Sequence, residues 1–223
     1  MSDIIVYTCI TGAKNFLPEY EKEDGVKYIC FTDGSVESKT DQWEIKDLIL
    51  NIEDDPRRTA RYHKLMSHEV LPENKYSIWF DGSMIPRVRI LDLIKWFEKD
   101  NSNEYAVRPH PGWNCVWKEA ETIKNLNRQY FDLSDEEIIR INEALVKYNK
   151  QKFPREFGLH ETGVLLRKNT KKTKSFNEKW WKEVSDFSVR DQMSFDYIRW
   201  KTKNKITDLN RDWFKQVNHR HYA

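Results

Sequence analysis

The sequence predicts an α/β fold, on three observations. Short apolar runs, Ile4-Ile5-Val6-Tyr7-Thr8-Cys9-Ile10, Val26-Lys27-Tyr28-Ile29-Cys30-Phe31 and Tyr76-Ser77-Ile78-Trp79-Phe80, have the length and the β-branched and aromatic content of buried strands. Each exits into a polar turn containing glycine: Thr11-Gly12, Thr32-Asp33-Gly34 and Asp81-Gly82-Ser83. Helical periodicity fills segments before and after the third run, and open α/β sheets bind ligands at the carboxyl ends of their strands.

At 223 residues the chain can bury one substantial core, so a single domain over residues 1–223 is expected. Lys+Arg 38 against Asp+Glu 36 leaves a formal net charge of +2, so no global field recruits nucleic acid or a membrane surface. Any anion site must be local. Cys9, Cys30 and Cys115 lack CxxC or zinc spacing and read as buried thiols in a reducing compartment. The first residues lack the pattern of a signal peptide and no stretch reaches membrane-spanning length, so a cytoplasmic protein without an integral membrane segment is expected. Aromatics reach 13%, with nine tryptophans, and mean hydropathy is -0.84; the core is built from large rings, with rings left over for a ligand cleft.

The first helix is expected from Asp54 or Asp55, as cap, with Pro56 in its first turn, to Val70. Arg57, Arg61, Lys64 and His68 recur on one face, with Tyr62, Leu65, Met66 and Val70 on another. The basic stripe is either a solvated face or a surface turned toward a diphosphate. Asp81-Gly82 has two readings as well: the commonest hairpin dipeptide, or a carboxylate presented to a ligand where a buried strand surfaces. Ile90, Leu91, Leu93, Ile94 and Phe97 form the buried side of the next helix, and Tyr105-Ala106-Val107 is a short strand. The prolines and glycine of Arg108-Pro109-His110-Pro111-Gly112-Trp113 demand an ordered loop, whose His110 is a surface residue or a contact to phosphate or acceptor. Helices follow around 116–126 and over 134–148, the second with a capping box of Ser134 and Glu137.

In the last third, Phe157-Gly158-Leu159-His160-Glu161-Thr162-Gly163 precedes a strand, Val164-Leu165-Leu166-Arg167, and a basic loop from Lys168 to Lys174. The helix from Asn177 to Phe187 buries Trp180, Trp181 and Val184, unless Trp180 or Trp181 stacks on a sugar. Ser188 and Asp191 have capping-box spacing, which would make Asp191 a helix cap; a helix N-terminus could equally lift Asp191 and Gln192 into a cleft. Binding of nucleic acid through Lys168–Lys174 and exposed tryptophans is opposed by the near-neutral charge.

Seven blocks, in order, carry a family resemblance: Tyr7-Thr8-Cys9-Ile10-Thr11-Gly12, Tyr28-Ile29-Cys30-Phe31-Thr32-Asp33, Arg57 through Lys64, Ser77-Ile78-Trp79-Phe80-Asp81-Gly82, His110-Pro111, Glu161-Thr162-Gly163-Val164-Leu165 and Arg190-Asp191-Gln192-Met193-Ser194-Phe195-Asp196-Tyr197. Together they resemble the glycosyltransferase-like domain family of plant mucilage and cell-wall proteins, which has bacterial and viral members. The resemblance implies a GT-A (Rossmann-like) fold, with a mixed, mainly parallel central sheet flanked by helices. It implies a hexosyltransferase that takes a nucleoside-diphosphate sugar, expected to be uridine-linked, and a glycan or other hydroxyl acceptor.

By the same resemblance, Thr8, Thr11 and Asp33 line the nucleotide pocket, and Arg57, Arg61 and Lys64 meet the base or diphosphate. Asp81 and Gly82 open an Asp-X-Asp element that touches ribose and a divalent metal. This chain departs from it at Ser83, where the second aspartate belongs, and loss of a hard anionic oxygen weakens Mg²⁺ or Mn²⁺ binding. His219 or His221 would complete the site, and imidazole suits Mn²⁺ better than Mg²⁺. Asp191-Gln192 resembles the Asp-Gln element of retaining transferases, with His110, Glu161 and Trp180 on the acceptor side. An inverting enzyme with Asp191 as general base, or a catalytically silent sugar-binding module, are the alternatives.

Overall fold

The computed structural model describes residues 3–12, 17–36 and 41–217. In chain order the first half gives β1 (Ile4–Ile10), β2 (Val26–Thr32), β3 (Glu44–Asp47), α1 (Pro56–Leu65), α2 (Ser67–Val70), β4 (Tyr76–Phe80), β5 (Met84–Pro86) and α3 (Ile90–Phe97). Then come β6 (Tyr105–Pro109), α4 (Val116–Leu126), a π-helical turn at Asn127–Phe131, and α5 (Asp135–Lys150). The last elements are β7 (His160–Lys168), α6 (Lys171–Asp186), α7 (Gln192–Thr202), β8 (Thr207–Asp208) and β9 (Phe214–Gln216). Seven strands form one sheet in the order β3-β2-β1-β4-β7-β6-β8. Only β7 runs against its neighbours, β4 and β6; the other pairings are parallel.

The continuous apolar runs of β1, β2 and β4 follow from this placement, because central parallel strands are covered on both faces. Alternate residues feed two cores. Ile5, Tyr7, Phe31, Trp79 and Leu165 face α1 and α4 to α7, where Leu65, Ile123, Ile141, Trp180 and Phe195 meet them. Val6, Tyr28, Ile78, Phe80 and Leu166 face α3 and the C-terminal segment, through Leu93, Phe97 and Phe214. All three cysteines are buried free thiols.

Asp55 caps α1, its Oδ1 accepting from Arg58 N at 2.8 Å, with Pro56 at the first position. The helix does not run through to Val70: Met66 leaves helical geometry (φ -92°, ψ 45°) and α2 restarts after it. Ser134 caps α5 by accepting from Glu137 N at 3.2 Å, but the Glu137 carboxylate serves Arg58 and Val189 N rather than completing a box. The expected basic loop Lys168–Lys174 is a strand end and a helix start. Thr170 accepts from Thr173 N at 3.2 Å, and lysines, good helix formers, fill the first turn of α6. Asp81-Gly82 does form a tight turn, closed by Met84 N donating to Asp81 O at 2.8 Å. It is not a hairpin, because β5 pairs with β9 instead of β4.

His63 lies wholly buried on α1, its Nε2 accepting from Ile49 N at 3.0 Å and its Nδ1 donating to Thr59 O at 2.9 Å. That pattern is the neutral tautomer, and burial holds the imidazole below its usual pKa of 6.5 against the opposing pull of the Thr59 carbonyl. The unfolded chain therefore binds the proton first. Stability contributed by neutral His63 is complete above about pH 6.5 and declines as pH falls through the lowered folded pKa. Urea midpoints between pH 7.5 and 5.5 should fall less steeply for His63→Gln than for the wild type; equal slopes would remove His63 as the cause.

Candidate active site

A cavity of about 240 Å³ opens at the sheet edge where β4 and β6 end and β7 begins. Its walls come from α1 (Arg61), the turn after β4 (Asp81, Ser83, Met84), β6 (Arg108), β7 (Glu161, Thr162, Gly163) and the start of α7 (Arg190, Asp191, Gln192), closed by Phe131 and Gln216. Ligand pockets for drug-sized molecules begin near ~300 Å³, so this one suits the sugar and phosphate end of a larger molecule.

Its floor is an ionic cluster around Asp191. Oδ1 of Asp191 lies 2.8 Å from Arg61 Nε, and Oδ2 takes Lys64 Nζ at 2.6 Å and the Thr162 hydroxyl at 2.7 Å. Lys64 is only 1% exposed at its side chain and also reaches Asp81 Oδ1 and Thr162 Oγ1, each at 3.3 Å. Trp79 Nε1 donates to the same Asp81 oxygen at 2.6 Å. The backbone of Lys64 is fixed as well, because its carbonyl accepts from Tyr7 Oη and from Arg167 Nη1, each at 2.8 Å.

The irregularity of β7 makes this arrangement possible. Val107 pairs with Leu165 but Arg108 pairs with Glu161, so the residues between have no partner on β6. Such a bulge re-aims side chains, here Thr162 toward Asp191. Gly163 O accepts from Asp81 N at 2.8 Å, and a Cβ at position 163 would stand 3.4 Å from Asp81 Oδ2.

Burial alone would raise the Asp191 carboxyl, but Arg61 and Lys64 overcome it and hold the group far below the usual carboxylate range. Asp81 follows the same balance, burial against Lys64 and Arg61, and is also lowered. Arg108 and Arg190 behave oppositely. Burial draws both guanidiniums down, and Glu161 and Glu119 restore only part of the loss. Each keeps a buried Nε with no hydrogen-bond partner. Two guanidiniums on one cavity wall, each paired with a single carboxylate, give that wall the charge an anion needs.

Comparison with known proteins fits this geometry. A profile of the TOD1/MUCI70 glycosyltransferase-like domain matches residues 21–223. The chain belongs to the TOD1/MUCI70 glycosyltransferase-like domain family. In Arabidopsis thaliana it is similar to "Probable hexosyltransferase MUCI70", 30% identical over 152 residues that make up 68% of this chain and 26% of that protein. It is also similar to "Alkaline ceramidase TOD1" of the same plant, 24% identical over 162 residues, 69% of this chain and 34% of that protein. The chain thus spans a quarter to a third of these curated relatives. In fold it resembles apo mouse xyloside xylosyltransferase 1 (TM-score 0.50, 10% identity, 93% of this chain and 84% of that one). It likewise resembles the apo WbbM bifunctional glycosyltransferase (TM-score 0.51, 10% identity, 93% of this chain and 39% of that one). The sheet of this TOD1/MUCI70 domain is accordingly GT-A-like.

Of the residues expected at the site, the TOD1/MUCI70 domain brings Arg61, Lys64, Asp81, Ser83, Glu161, Asp191 and Gln192 together. Asp191 does not cap α7 with its side chain; Ser188 Oγ instead accepts from Arg190 N at 3.1 Å. Thr8, Thr11 and Asp33 lie outside the cavity wall. Thr11 donates to Pro56 O at 2.7 Å, and Asp33 Oδ2 accepts from Gly12 N at 2.7 Å, so both brace the exits of β1 and β2. Thr8 keeps a buried hydroxyl without a partner. Arg57 does not line the cavity: 43% exposed, it donates to Asp132 O at 2.8 Å from the first turn of α1. His110 does not line the cavity, its Nδ1 accepting from the Gly112 and Trp113 amides.

Trp180 lies in the core rather than at the acceptor side. It is fully buried, and its Nε1 reaches Asp191 O and Ser194 Oγ, each at 3.1 Å, so no face is open to a sugar. Trp180→Ala should cost about 3–5 kcal/mol, as for other core tryptophans, by denaturant unfolding; an unchanged midpoint would return Trp180 to a stacking role.

The expected metal centre is not assembled by the described residues. Among them no group of three or more His, Cys, Asp or Glu could hold an ion. Asp81 Oδ1 is taken by Lys64 and Trp79, and Ser83 offers only a neutral hydroxyl; His219 and His221 lie outside the described residues. Among the residues in or beside the cavity that were not singled out as site residues from sequence are Arg108, Glu119, Thr162 and Arg190. Arg190 adjoins the Asp191-Gln192 pair, a signal that could have found it; Thr162 depends on the bulge, and Glu119 looks like any helical surface acid.

Proposed function

We propose that this domain transfers a hexosyl group from a nucleoside-diphosphate sugar, with uridine as the expected base, to a hydroxyl of a glycan, with retention of anomeric configuration. The observation that carries this is the Asp191–Lys64–Arg61–Thr162 cluster set beside Gln192 on the floor of a cavity walled by Arg108 and Arg190. Cleavage of the bond from anomeric carbon to phosphate oxygen leaves negative charge on the diphosphate. Arg61, Arg108 and Arg190 are placed to take it, and preorganised cations are worth most at such a point.

Inversion would use Asp191 as general base. Both its oxygens are occupied by cations and its pKa is far below the usual range, so it is a poor proton acceptor. In the retaining course the acceptor oxygen bonds to the anomeric carbon on the face the diphosphate leaves. The hydroxyl proton passes to the departing phosphate oxygen, and no protein base is needed. Amide hydrolysis, which the ceramidase relative's name raises, suits the cavity less, because Met84 and Phe131 are its only apolar side chains among the described residues. No step here is routed through a metal, because His219 and His221, two of its expected ligands, lie outside the described residues.

Incubation with UDP-hexoses and candidate glycans, with the product anomer assigned by NMR, tests this directly. A product with the donor's configuration is expected. An inverted product would restore Asp191 as base, and nucleotide-sugar binding without turnover would make the domain a sugar-binding module.

A further inference from the structure

We propose that Glu119 is a positioning residue, which fixes the end of the Gln192 amide that faces the reacting sugar; this rests on the glycosyl-transfer reading above. Glu119 sits on α4, its side chain only 6% exposed, and does not line the cavity. Four side chains from two segments, the loop of His110 and Trp113 and the start of α7, surround its carboxylate. Oε1 receives Gln192 Nε2 at 2.9 Å and lies 3.6 Å from Arg190 Nη2. Oε2 receives Trp113 Nε1 at 3.4 Å and faces His110 Nε2 at 3.9 Å. Because His110 Nδ1 accepts from two backbone amides, the ring carries its proton on Nε2, toward Glu119.

The consequence lies in the symmetry of an amide. Its two ends have nearly the same shape, so packing alone does not decide which faces the cavity. A carboxylate accepts only, so it binds the NH₂ end of Gln192 and leaves the carbonyl oxygen for the ligand. A carbonyl oxygen has the dipole sign that stabilises an oxocarbenium-like carbon, whereas an NH₂ group would oppose it. Glutamine at position 119 would preserve shape and remove the sign, since it can donate or accept.

The test is a double-mutant cycle on hexosyl transfer. Glu119→Gln should lower kcat about tenfold or more, the worth of one hydrogen bond to a charged group, with donor KM changed by less than about twofold. In the Gln192→Ala background the same substitution should change kcat by less than about twofold, because no amide remains to orient. An equal loss in both backgrounds, or no loss in either, would overturn the positioning role. Should Glu119→Gln not fold, Glu119→Asp carries the same cycle, with its displaced carboxylate expected to couple to Gln192 in the same way. Absence of transfer by the wild type with every donor would overturn the glycosyl-transfer reading first, and this inference with it.

Discussion

Lys64→Met is expected to destabilise the fold by about 3–5 kcal/mol, the range seen when one partner of a buried ion pair is removed. The lost ammonium is shared by Asp191 at 2.6 Å and Asp81 at 3.3 Å, and at 1% side-chain exposure water cannot replace it. Arg61 would be left to balance two carboxylates. The pH dependence gives the effect a signature. In the wild type both carboxyls have lowered pKa values, so their contribution to stability is complete above the ordinary value of 3.8 and is lost as pH falls below it. In the variant that stabilisation is missing from the start, so the gap between variant and wild type should narrow as pH falls below about 3.8. Adding Asp191→Asn to the variant should recover part of the loss. Urea unfolding at pH 7 and at about pH 3 measures both; a single variant within about 1 kcal/mol of wild type at pH 7 would contradict an integrated ion cluster.

Asp191→Asn should lower kcat for hexosyl transfer by at least about a hundredfold, comparable to removal of one preorganised electrostatic group. The substitution keeps the shape that meets the Thr162 hydroxyl but leaves Lys64 and Arg61 without their shared anion. Both cations are then free to swing toward the diphosphate. Donor KM is expected to hold or fall while kcat drops, which separates this loss from simple failure to bind. Steady-state kinetics beside a thermal unfolding curve give the answer. Activity within threefold of wild type would take Asp191 out of the chemistry.

How much of this could be read from the chain depends on which interaction set each feature. β1, β2 and β4 were legible because a doubly covered strand must be a continuous apolar run. Arg61 and Lys64 were legible through helical spacing, yet the same spacing also selected Arg57 and His68. The break at Met66 puts His68 in a separate helix, against Asn177 and Glu178, and the exposed first turn takes Arg57 away. Periodicity names a face; it does not say where along that face the cavity lies. Trp180 and Trp181 could not be ordered for a related reason, since only tertiary contacts bury one fully and leave the other partly exposed against Tyr62.

Asp191 shows the converse case. Its spacing from Ser188 favoured a cap, a local interaction, but the buried Lys64 and half-buried Arg61 of α1, more than a hundred residues earlier, outweigh a single surface hydrogen bond. Local rules fail most readily where long-range charge pairing competes with them, and such positions concentrate at functional sites. Thr162 was hidden for a geometric reason, because a bulge is not encoded by the alternation that marks a strand.

Calorimetric titration of nucleoside diphosphates and their hexose conjugates tests the central claim most directly, with UDP and UDP-hexoses first and uridine as control. The cavity predicts binding that requires the diphosphate, and an affinity that falls about tenfold or more in Arg190→Ala, which removes a guanidinium from the cavity wall. Absence of binding by every nucleoside diphosphate sugar, or binding that Arg190→Ala leaves unchanged, would contradict the assignment of this cavity as the donor site.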